Sequence, residues 1–219
     1  FMCYLYNISG MEKEARELLK KWAAFSAAEN PLWKSLVNKN KYINKYADRT
    51  KYYYEKAWVE LLYGIGRYAL RYFGRLISYD CLKEEYQCDA VFASILYGDV
   101  RRGRRYAQML KEFLKREKLK RGNIYYNYCR KHVRIEILSI WYDDNDGEIE
   151  RLLRESHSME ICHDCTSCLC KGLECLEVLF LLKKGKTDEA AEKLERSLRL
   201  FPFDEYMNAL KHSGAAYLK

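Results

Sequence analysis

Helix-breaking residues and long hydrophobic runs are both scarce in this sequence. Only two prolines, Pro31 and Pro202, occur in 219 residues, and so few breakers favour long helices over many short strands. The longest apolar stretch, residues 178–182, is far shorter than the run of about 18 residues that indicates a membrane-spanning helix. No signal peptide is visible either. We therefore expect an all-α chain with no membrane contact.

Recognisable catalytic motifs are also missing. The sequence has no Gly-x-Ser-x-Gly nucleophile turn, no His-Glu-x-x-His zinc motif and no phosphate-binding loop. Residues 143–147 hold three aspartates, but they lack the spacing and the closing glutamate of a calcium-binding EF-hand. We interpret this run as an acidic turn before a helix, with Asn145 or Asp146 as the cap. We expect a protein that is not an enzyme and that needs no cofactor.

The nine cysteines are an odd number in a chain long enough to fold without disulfides, so free thiols in a reducing cytoplasm are the simpler interpretation. Five of them lie within fourteen residues: Cys162, Cys165, Cys168, Cys170 and Cys175. Such a cluster suggests zinc or an iron–sulfur centre, but the second, separated pair of ligands that a zinc finger needs is missing. On a helix, the later cysteines share one stripe with Gly172 and Leu179. We therefore favour close helix packing and keep metal binding as the alternative.

The net charge of +8 is concentrated in one segment. Residues 101–121 contain ten Lys or Arg and two acids, so their balance of +8 equals that of the whole chain. On a helix, Arg101, Arg104 and Arg105 share a broad side, and Ala107 and Leu110 lie on an apolar face opposite. We interpret the basic side as a solvated helix face. Nucleic-acid binding is the alternative, since phosphate contacts need a continuous positive face.

Five positions along the chain are followed by the same pattern of small and large residues. After Gly185 a small residue stands at +5, a large apolar residue at +9 and a small or apolar residue at +12. A small residue opposite a large one lets two antiparallel helices approach closely, and glycine frees the turn between them. The five sets are Gly10 with Ala15, Leu19 and Trp22; Gly64 with Ala69, Phe73 and Leu76; Gly98 with Gly103, Ala107 and Leu110; Asp144 with Ile149, Leu153 and Ser156; and Gly185 with Ala190, Leu194 and Ser197.

The spacing of these turns predicts repeated helix pairs. The turns are separated by 54, 34, 46 and 41 residues, and solenoid repeats built from helix pairs run about 34 to 47 residues. We interpret residues 34–45, in the long first gap, as an irregular insertion or an extra short helix. Near the C-terminus, one helix should cover residues 171–184 and the next should end near Leu200, before Pro202. We predict an all-α array of antiparallel helix pairs, with no sheet.

The unit at Gly185 resembles a tetratricopeptide repeat (TPR). Its sequence GKTDEAAEKLERSLRLFP has the glycine turn, the run Asp188-Glu189-Ala190, spaced apolar residues and a closing proline. The longer units resemble the sensor region of MalT-type regulators of the LuxR class. The ending LRLFPFDEYMNALKHSGAAYLK is similar to the run that closes that region.

This resemblance implies a right-handed, TPR-like superhelix that forms one domain over residues 1–219, as a piece of a longer cytoplasmic chain. The implied function is effector sensing in a bacterial transcriptional regulator, with DNA contacted only through other domains of that chain. A peptide-sensing or protein–protein interaction scaffold is the alternative for the same fold.

The resemblance also implies that the first helix of each pair lines a concave groove for a peptide, protein or small effector. By offset from the turns, the inner line holds Lys51, Tyr54, Trp58, Glu85, Cys88, Phe92, Lys131, Arg134, Leu138, Gly172, Cys175, Leu179 and Lys183. A shift of one residue adds Arg130 and Trp141. Because aromatic and arginine side chains dominate binding sites, the candidate ligand-binding residues are Tyr54, Trp58, Phe92, Arg130, Arg134 and Trp141.

Three of these candidates carry the most specific prediction. Arg130 and Arg134 are one helical turn apart, and Trp141 lies seven residues further along the same face. Two guanidinium groups beside an indole suit a carboxylate, so we predict an anionic or acidic-peptide ligand. One alternative is that Trp58, Phe92 and Leu138 are core residues between adjacent repeats. The other is that the arginines pair with acids of the same chain, of which the candidates are Glu136, Glu148 and Glu150.

Overall fold

The computed structural model describes residues 11–27, 43–63, 66–81, 83–120, 130–159, 168–200, 202 and 204–214. These residues form ten α-helices and no strand, so the prediction of an all-α chain without a sheet is confirmed for them. The helices are α1 (Glu12–Ala27), α2 (Ile43–Leu62), α3 (Gly66–Tyr79), α4 (Glu84–Leu96), α5 (Val100–Lys120), α6 (Arg130–Ile140), α7 (Asp146–Ser158), α8 (Cys168–Lys183), α9 (Thr187–Leu200) and α10 (Glu205–Gly214). None of them is long and apolar enough to cross a membrane.

The chain divides into two compact units, Phe1–Cys81 and Leu82–Lys219, where the sequence predicts one domain over residues 1–219. Unit 1 contains α1 to α3, unit 2 contains α4 to α10, and each is described by itself. The helix predicted over residues 171–184 is α8, and the one predicted to end near Leu200 is α9. Residues 34–42 of the predicted insertion lie outside the described residues, and α2 begins at Ile43.

Unit 1 is built on the packing of α2 against α3, with α1 packed on α2. The buried residues of α3 that form its apolar side are Ala69, Leu70, Phe73, Leu76 and Ile77. The Trp58 ring of α2 meets the Phe73 ring edge to face, with centroids 6.4 Å apart. Because the apolar residues of α3 face this core, its arginines and tyrosines are left on the opposite side.

Two glycines end the first helices of helix pairs in unit 2, as their positions predict. Gly98 follows α4 with a φ of 66°, and Gly185 follows α8 with a φ of 73°, a left-handed conformation that costs glycine little. At each end, the N–H groups of the glycine and of the next residue donate to carbonyl groups of the last helical turn. This arrangement satisfies carbonyl groups that the helix leaves unpaired, and it reverses the chain. Gly10 and Gly64 lie outside the described residues.

The residues at +5, +9 and +12 after each turn lie on the second helix of each predicted pair, where the described ones are buried. All of these marks after positions 64, 98, 144 and 185 are buried: Ala69, Phe73, Leu76, Gly103, Ala107, Leu110, Ile149, Leu153, Ser156, Ala190, Leu194 and Ser197. After position 10, Ala15 is buried too, and the side chains of Leu19 and Trp22 lie outside the described residues. The burial expected of a seam is therefore confirmed at four turns, whereas the contact of these residues with the paired helix and the superhelical array stay predictions.

The first helices of successive pairs in unit 2 pack side by side, α4 against α6 and α6 against α8. The last helix, α10, packs on α8 and α9 and also contacts α4. Because α10 returns to the first helix of the unit, the predicted inner line is enclosed. Its buried members include Cys88, Phe92, Leu138, Cys175 and Leu179. The open groove predicted along this line is not found among these residues.

The basic segment lies on α5, with its described arginines exposed and the predicted apolar residues buried opposite them. Acids of the same chain neutralise part of its charge. Lys111 Nζ lies 2.7 Å from Oδ2 of Asp143, and Lys115 Nζ lies 3.1 Å from Oε1 of Glu112. Exposed pairs of this kind contribute little to stability, and mixed charges are typical of the solvated face that the sequence favours.

Truncation of one seam residue tests how much the seam contributes to stability. Leu110, the residue twelve positions after Gly98, is 0% exposed, whereas Leu200 on α9 is 65% exposed. We expect Leu110→Ala to lower the free energy of unfolding by about 2–5 kcal/mol, because it leaves a cavity in place of buried methyl groups. The matched Leu200→Ala should change it by less than about 0.5 kcal/mol. Urea denaturation followed by circular dichroism measures both values, and equal effects would contradict the seam.

Candidate functional site

Three of the six predicted ligand-binding residues take part in hydrophobic packing. Trp58 is 6% exposed and Phe92 is 1% exposed. Tyr54 is half-buried, and its ring lies edge-on to Trp58 with centroids 6.5 Å apart. For Trp58 and Phe92, this is the core role that the sequence leaves as the alternative, and neither ring presents an open face to a ligand.

The centre of unit 2 is a charged cluster assembled from three helices. Arg134 of α6 is 1% exposed, and its Nη2 donates a hydrogen bond of 3.2 Å to Oδ1 of Asp89 on α4. The hydroxyl of Tyr206 on α10 donates to the same oxygen at 2.8 Å. The guanidinium carbon of Arg134 also lies 4.6 Å from the Tyr206 ring centroid, a cation–π geometry. The Phe92 ring packs edge-on against Tyr206, with centroids 5.1 Å apart.

Because Arg134 and Asp89 are both buried, each charge needs the other as its partner. Each buried charge costs several kcal/mol of desolvation, which only close pairing offsets. Although burial favours the neutral form, the neighbours Tyr206, Cys88 and Asp89 raise the pKa of Arg134, so its guanidinium stays charged. Helix α8 passes this group at Gly172, where a Cβ atom would lie 2.7 Å from Nε of Arg134. Glycine at this position therefore allows α8 to approach the ion pair.

Arg134 is enclosed by the chain and is not accessible to a ligand. Arg134 instead forms an ion pair within the chain, which is the alternative that the sequence leaves open. Its partner is Asp89 of α4, in place of the candidates Glu136, Glu148 and Glu150. The ligand contact expected at Arg134 is therefore not part of the site described below.

Asp89 and Tyr206 were not predicted from the sequence, because neither belongs to a recognisable motif. Asp89 nevertheless left a signal, since it is the sole acid between Glu85 and Asp99 in a largely apolar stretch. A lone acid inside an apolar helix needs a buried partner. Tyr206, one of 20 tyrosines, left no comparable signal.

The predicted trio is spread along α6 and does not gather at one site. Arg130 is the first residue of α6, and Trp141 directly follows its last residue, Ile140. At about 1.5 Å of rise per residue, the two are separated by about 16 Å along the helix axis. Arg130 is half-buried, and its Nε has no hydrogen-bond partner among the described residues. A common helix face does not bring residues together along the axis, so the three cannot hold one small ligand.

Trp141 is 5% exposed, and it lines a cavity in unit 2 together with residues of α4, α5 and α8. The cavity volume is about 370 Å³. Its lining residues are Ile95, Arg104, Trp141, Tyr142, Asp143, Asp144, Leu179, Leu182 and Lys183. The wall is largely apolar, and charged side chains of both signs lie among the lining residues. A concave site of this volume, with both apolar and charged lining residues, can hold a small ligand.

An ion pair fixes one side of the cavity. Lys183 Nζ donates to Oδ1 of Asp146 at 2.6 Å and lies 5.6 Å from the ring centroid of Trp141. Hydrogen bonds from Lys183 and Lys184 lower the pKa of Asp146. The expected capping role is only partly present: Asn145 is the N-cap residue of α7, but its side chain makes no capping hydrogen bond.

Two charged side chains of the cavity remain open to a ligand. Arg104 and Asp144 are both exposed, and neither forms an ion pair with another described residue. Since they carry opposite charges, the site can bind a ligand that has both a donor and an acceptor next to an apolar group.

The cysteine cluster forms no metal site in the part of the chain that the structure describes, because no group of three possible ligands comes together there. Cys175 is fully buried in α8. The other members lie outside the described residues, either entirely or by their side chains: Cys162, Cys165, Cys168 and Cys170. The choice between packing and metal binding therefore stays open for the cluster as a whole.

Charge removal at Asp89 tests the central ion pair. We expect Asp89→Asn to lower the free energy of unfolding by about 3–5 kcal/mol, because Arg134 keeps a buried charge without its counter-charge. Tyr206→Phe keeps the pair and removes one hydrogen bond to a charged group, so it should cost about 1.5–3 kcal/mol. The exposed Glu150→Gln also loses one carboxylate and should change stability by less than about 0.5 kcal/mol. In urea denaturation, a smaller loss for Asp89→Asn than for Tyr206→Phe would argue against this role.

Cysteine alkylation tests the packing around the charged cluster of Asp89, Arg134 and Tyr206. Burial raises the pKa of the Cys88 thiol to about 12 and raises the pKa of Cys175 well above its usual value, whereas Cys81 is exposed. The thiolate is the reactive form, so iodoacetamide near neutral pH should modify Cys81 and leave Cys88 and Cys175 protected in the native protein. Peptide mass spectrometry resolves the three sites. All three should react after unfolding in urea, and equal rates in the native protein would show that the centre of unit 2 is open.

Comparisons with known protein families, with curated proteins and with solved structures find no match to this chain. The resemblance to helical repeats is therefore supported only by the residues of this sequence, and the fold only by the helices of the structure. The function is therefore inferred from the chemistry of the cavity and of the exposed helix faces.

Proposed function

We propose that this chain is a binding module of helix pairs that holds a peptide or small effector by an apolar group, in the cavity beside Trp141. The cavity itself is the observation that supports this function. Its volume of about 370 Å³ falls within the range of about 300–1,000 Å³ that ligand sites occupy. Trp141 was predicted as a binding residue, and the proposed site keeps it while leaving out Arg130 and Arg134.

The lining residues define the chemistry of the ligand. Ile95, Leu179 and Leu182 form an apolar wall with the Trp141 ring, which suits an aliphatic or aromatic side chain. Arg104 and Asp144 bind groups of opposite charge or polarity, as a peptide backbone or an amino-acid-like effector offers. A purely anionic ligand is less favoured here, because Asp143 and Asp144 line the same cavity.

The biological context that we propose is effector sensing in a MalT-type, LuxR-class bacterial transcriptional regulator in the cytoplasm. Glycine turns at 98 and 185 and buried seams after four turns support a module made of helix pairs. The module has no catalytic role in this proposal, and DNA is contacted through other domains. A protein–protein interaction scaffold is the alternative. Gene sequence on both sides decides between them, since the regulator needs a phosphate-binding loop upstream and a helix-turn-helix downstream.

Tryptophan signals in nuclear magnetic resonance spectra test the cavity directly. We expect indole, p-cresol and N-acetyl-leucine amide at millimolar concentration to shift the indole N–H signal of Trp141, because each carries an apolar group that fits the wall. The Trp58 signal should not move, because that ring packs on Phe73 in unit 1 and does not line the cavity.

Two matched variants distinguish binding in the cavity from nonspecific binding of the fragments to the protein surface. Leu182→Glu places a charge in the apolar wall and should abolish the Trp141 shifts. Leu200→Glu makes the same substitution at an exposed site outside the cavity and should leave them unchanged. Equal shifts of Trp58 and Trp141, or no shift of Trp141 with any of the three fragments, would refute the proposed site.

A further inference from the structure

The exposed side of α3 in unit 1 carries arginines and tyrosines and no acid. In its sequence GRYALRYFGRLISY, Arg67, Arg71 and Arg75 recur at intervals of four residues, and all three are exposed. Side chains four residues apart on a helix lie about 6 Å apart on one ridge. Since the opposite side of α3 supplies the core contacts of unit 1, this arginine ridge is not needed for core packing.

A second ridge beside the arginines is aromatic. Tyr68 and Tyr79 are 37% and 39% exposed, and Tyr72 is half-buried between them. Tyr53 of α2 stacks on both Tyr72 and Tyr79, with ring centroids 6.0 and 5.9 Å apart and interplanar angles of 23° and 14°. Stacked rings restrict each other's motion, so this surface is ordered before any partner binds.

Aromatic rings, and not acids, position the guanidinium groups. The guanidinium carbon of Arg67 lies 5.2 Å from the Tyr68 ring centroid, and that of Arg75 lies 5.3 Å from the Tyr53 ring centroid. Nη1 of Arg75 also donates to the Tyr53 hydroxyl at 3.5 Å. None of the three arginines of the ridge forms an ion pair with another described residue. On α5, by contrast, acids of the chain neutralise part of the basic charge.

We propose that the exposed side of α3 is a docking surface for an acidic amphipathic helix of a protein partner. Protein interfaces are enriched in Arg and Tyr and depleted in Lys, Asp and Glu, which matches this face. Glutamates at every fourth position of a partner helix repeat at about the same 6 Å as the arginine ridge, so each carboxylate can meet one guanidinium. Apolar side chains of the partner then pack on the tyrosine ridge. This surface belongs to unit 1 and does not depend on the cavity of unit 2.

The same surface suits single-stranded nucleic acid less well. Binding of that kind uses open aromatic faces on which bases stack. Here at least one face of Tyr53, of Tyr68 and of Tyr72 is occupied by a neighbouring ring or guanidinium group. Hydroxyl groups and ring edges favour the side-chain packing and directed hydrogen bonds of a protein helix.

Fluorescence anisotropy with the full chain tests the docking surface. The probe is a labelled, helix-stabilised synthetic peptide with glutamate at every fourth position and leucine on the adjoining ridge. A second peptide of identical composition has its glutamates spread around the helix. We expect the first peptide to bind at least about tenfold more tightly than the second, because only its carboxylates match the arginine ridge. The triple variant Arg67→Gln/Arg71→Gln/Arg75→Gln should remove this difference, and Tyr68→Ala should weaken binding of the first peptide.

A matched control removes the same charge elsewhere. The variant Arg101→Gln/Arg105→Gln/Arg116→Gln loses three exposed arginines of α5 and should keep the affinity for the first peptide within about twofold. Circular dichroism should be unchanged in both triple variants, because exposed arginines contribute little to stability.

Four results would overturn the proposal. Equal losses in the two triple variants, or equal binding of the two peptides, would indicate unspecific charge attraction. Tighter binding of a labelled single-stranded thymidine oligonucleotide, lost in the α3 variant, would identify a nucleic-acid surface. Self-association in sedimentation, lost in the same variant, would identify a second copy of the chain as the occupant.

Discussion

A single buried carboxylate oxygen joins the helices at the centre of unit 2. Oδ1 of Asp89 accepts hydrogen bonds from Arg134, 45 residues away, and from Tyr206, 117 residues away. Since an unpaired buried charge costs several kcal/mol, α4, α6 and α10 have to meet at this point. Gly172 then becomes a requirement, because a side chain there would collide with the guanidinium group as α8 packs beside it.

Closure around this ion pair changes where unit 2 can bind a ligand. The predicted inner line is filled by its own side chains and by Tyr206, so no open groove runs along it. Residues of α4, α5 and α8 line a cavity instead, and Trp141 and Leu182 belong to that lining. The ion pair and the cavity share α4 and α6, because Asp89 and Ile95 lie on α4, and Arg134 lies on the helix that Trp141 directly follows.

Arginine has opposite roles in the two units. In unit 2, Arg134 is buried and forms an ion pair with Asp89. In unit 1, Arg67 and Arg75 are exposed and supported by tyrosine rings, which leaves their charge open to another molecule. Sequence periodicity places both kinds on a helix face, but only burial and partners separate a structural arginine from an interface arginine.

The sequence by itself determined the all-α class, the glycine turns at 98 and 185 and the buried positions after the turns, because the causes of these features are local. Gly98 and Gly185 adopt a backbone conformation that other residues avoid, and small and large residues at fixed offsets decide which sides of two paired helices touch. Only the tertiary structure decided that Arg134 pairs with Asp89, that Trp141 lines a cavity and that α10 closes the inner line. Helical periodicity states which way a side chain points, but not which distant residue it meets or how far along the axis. Those outcomes depend on contacts between residues up to 117 positions apart, which no local pattern encodes.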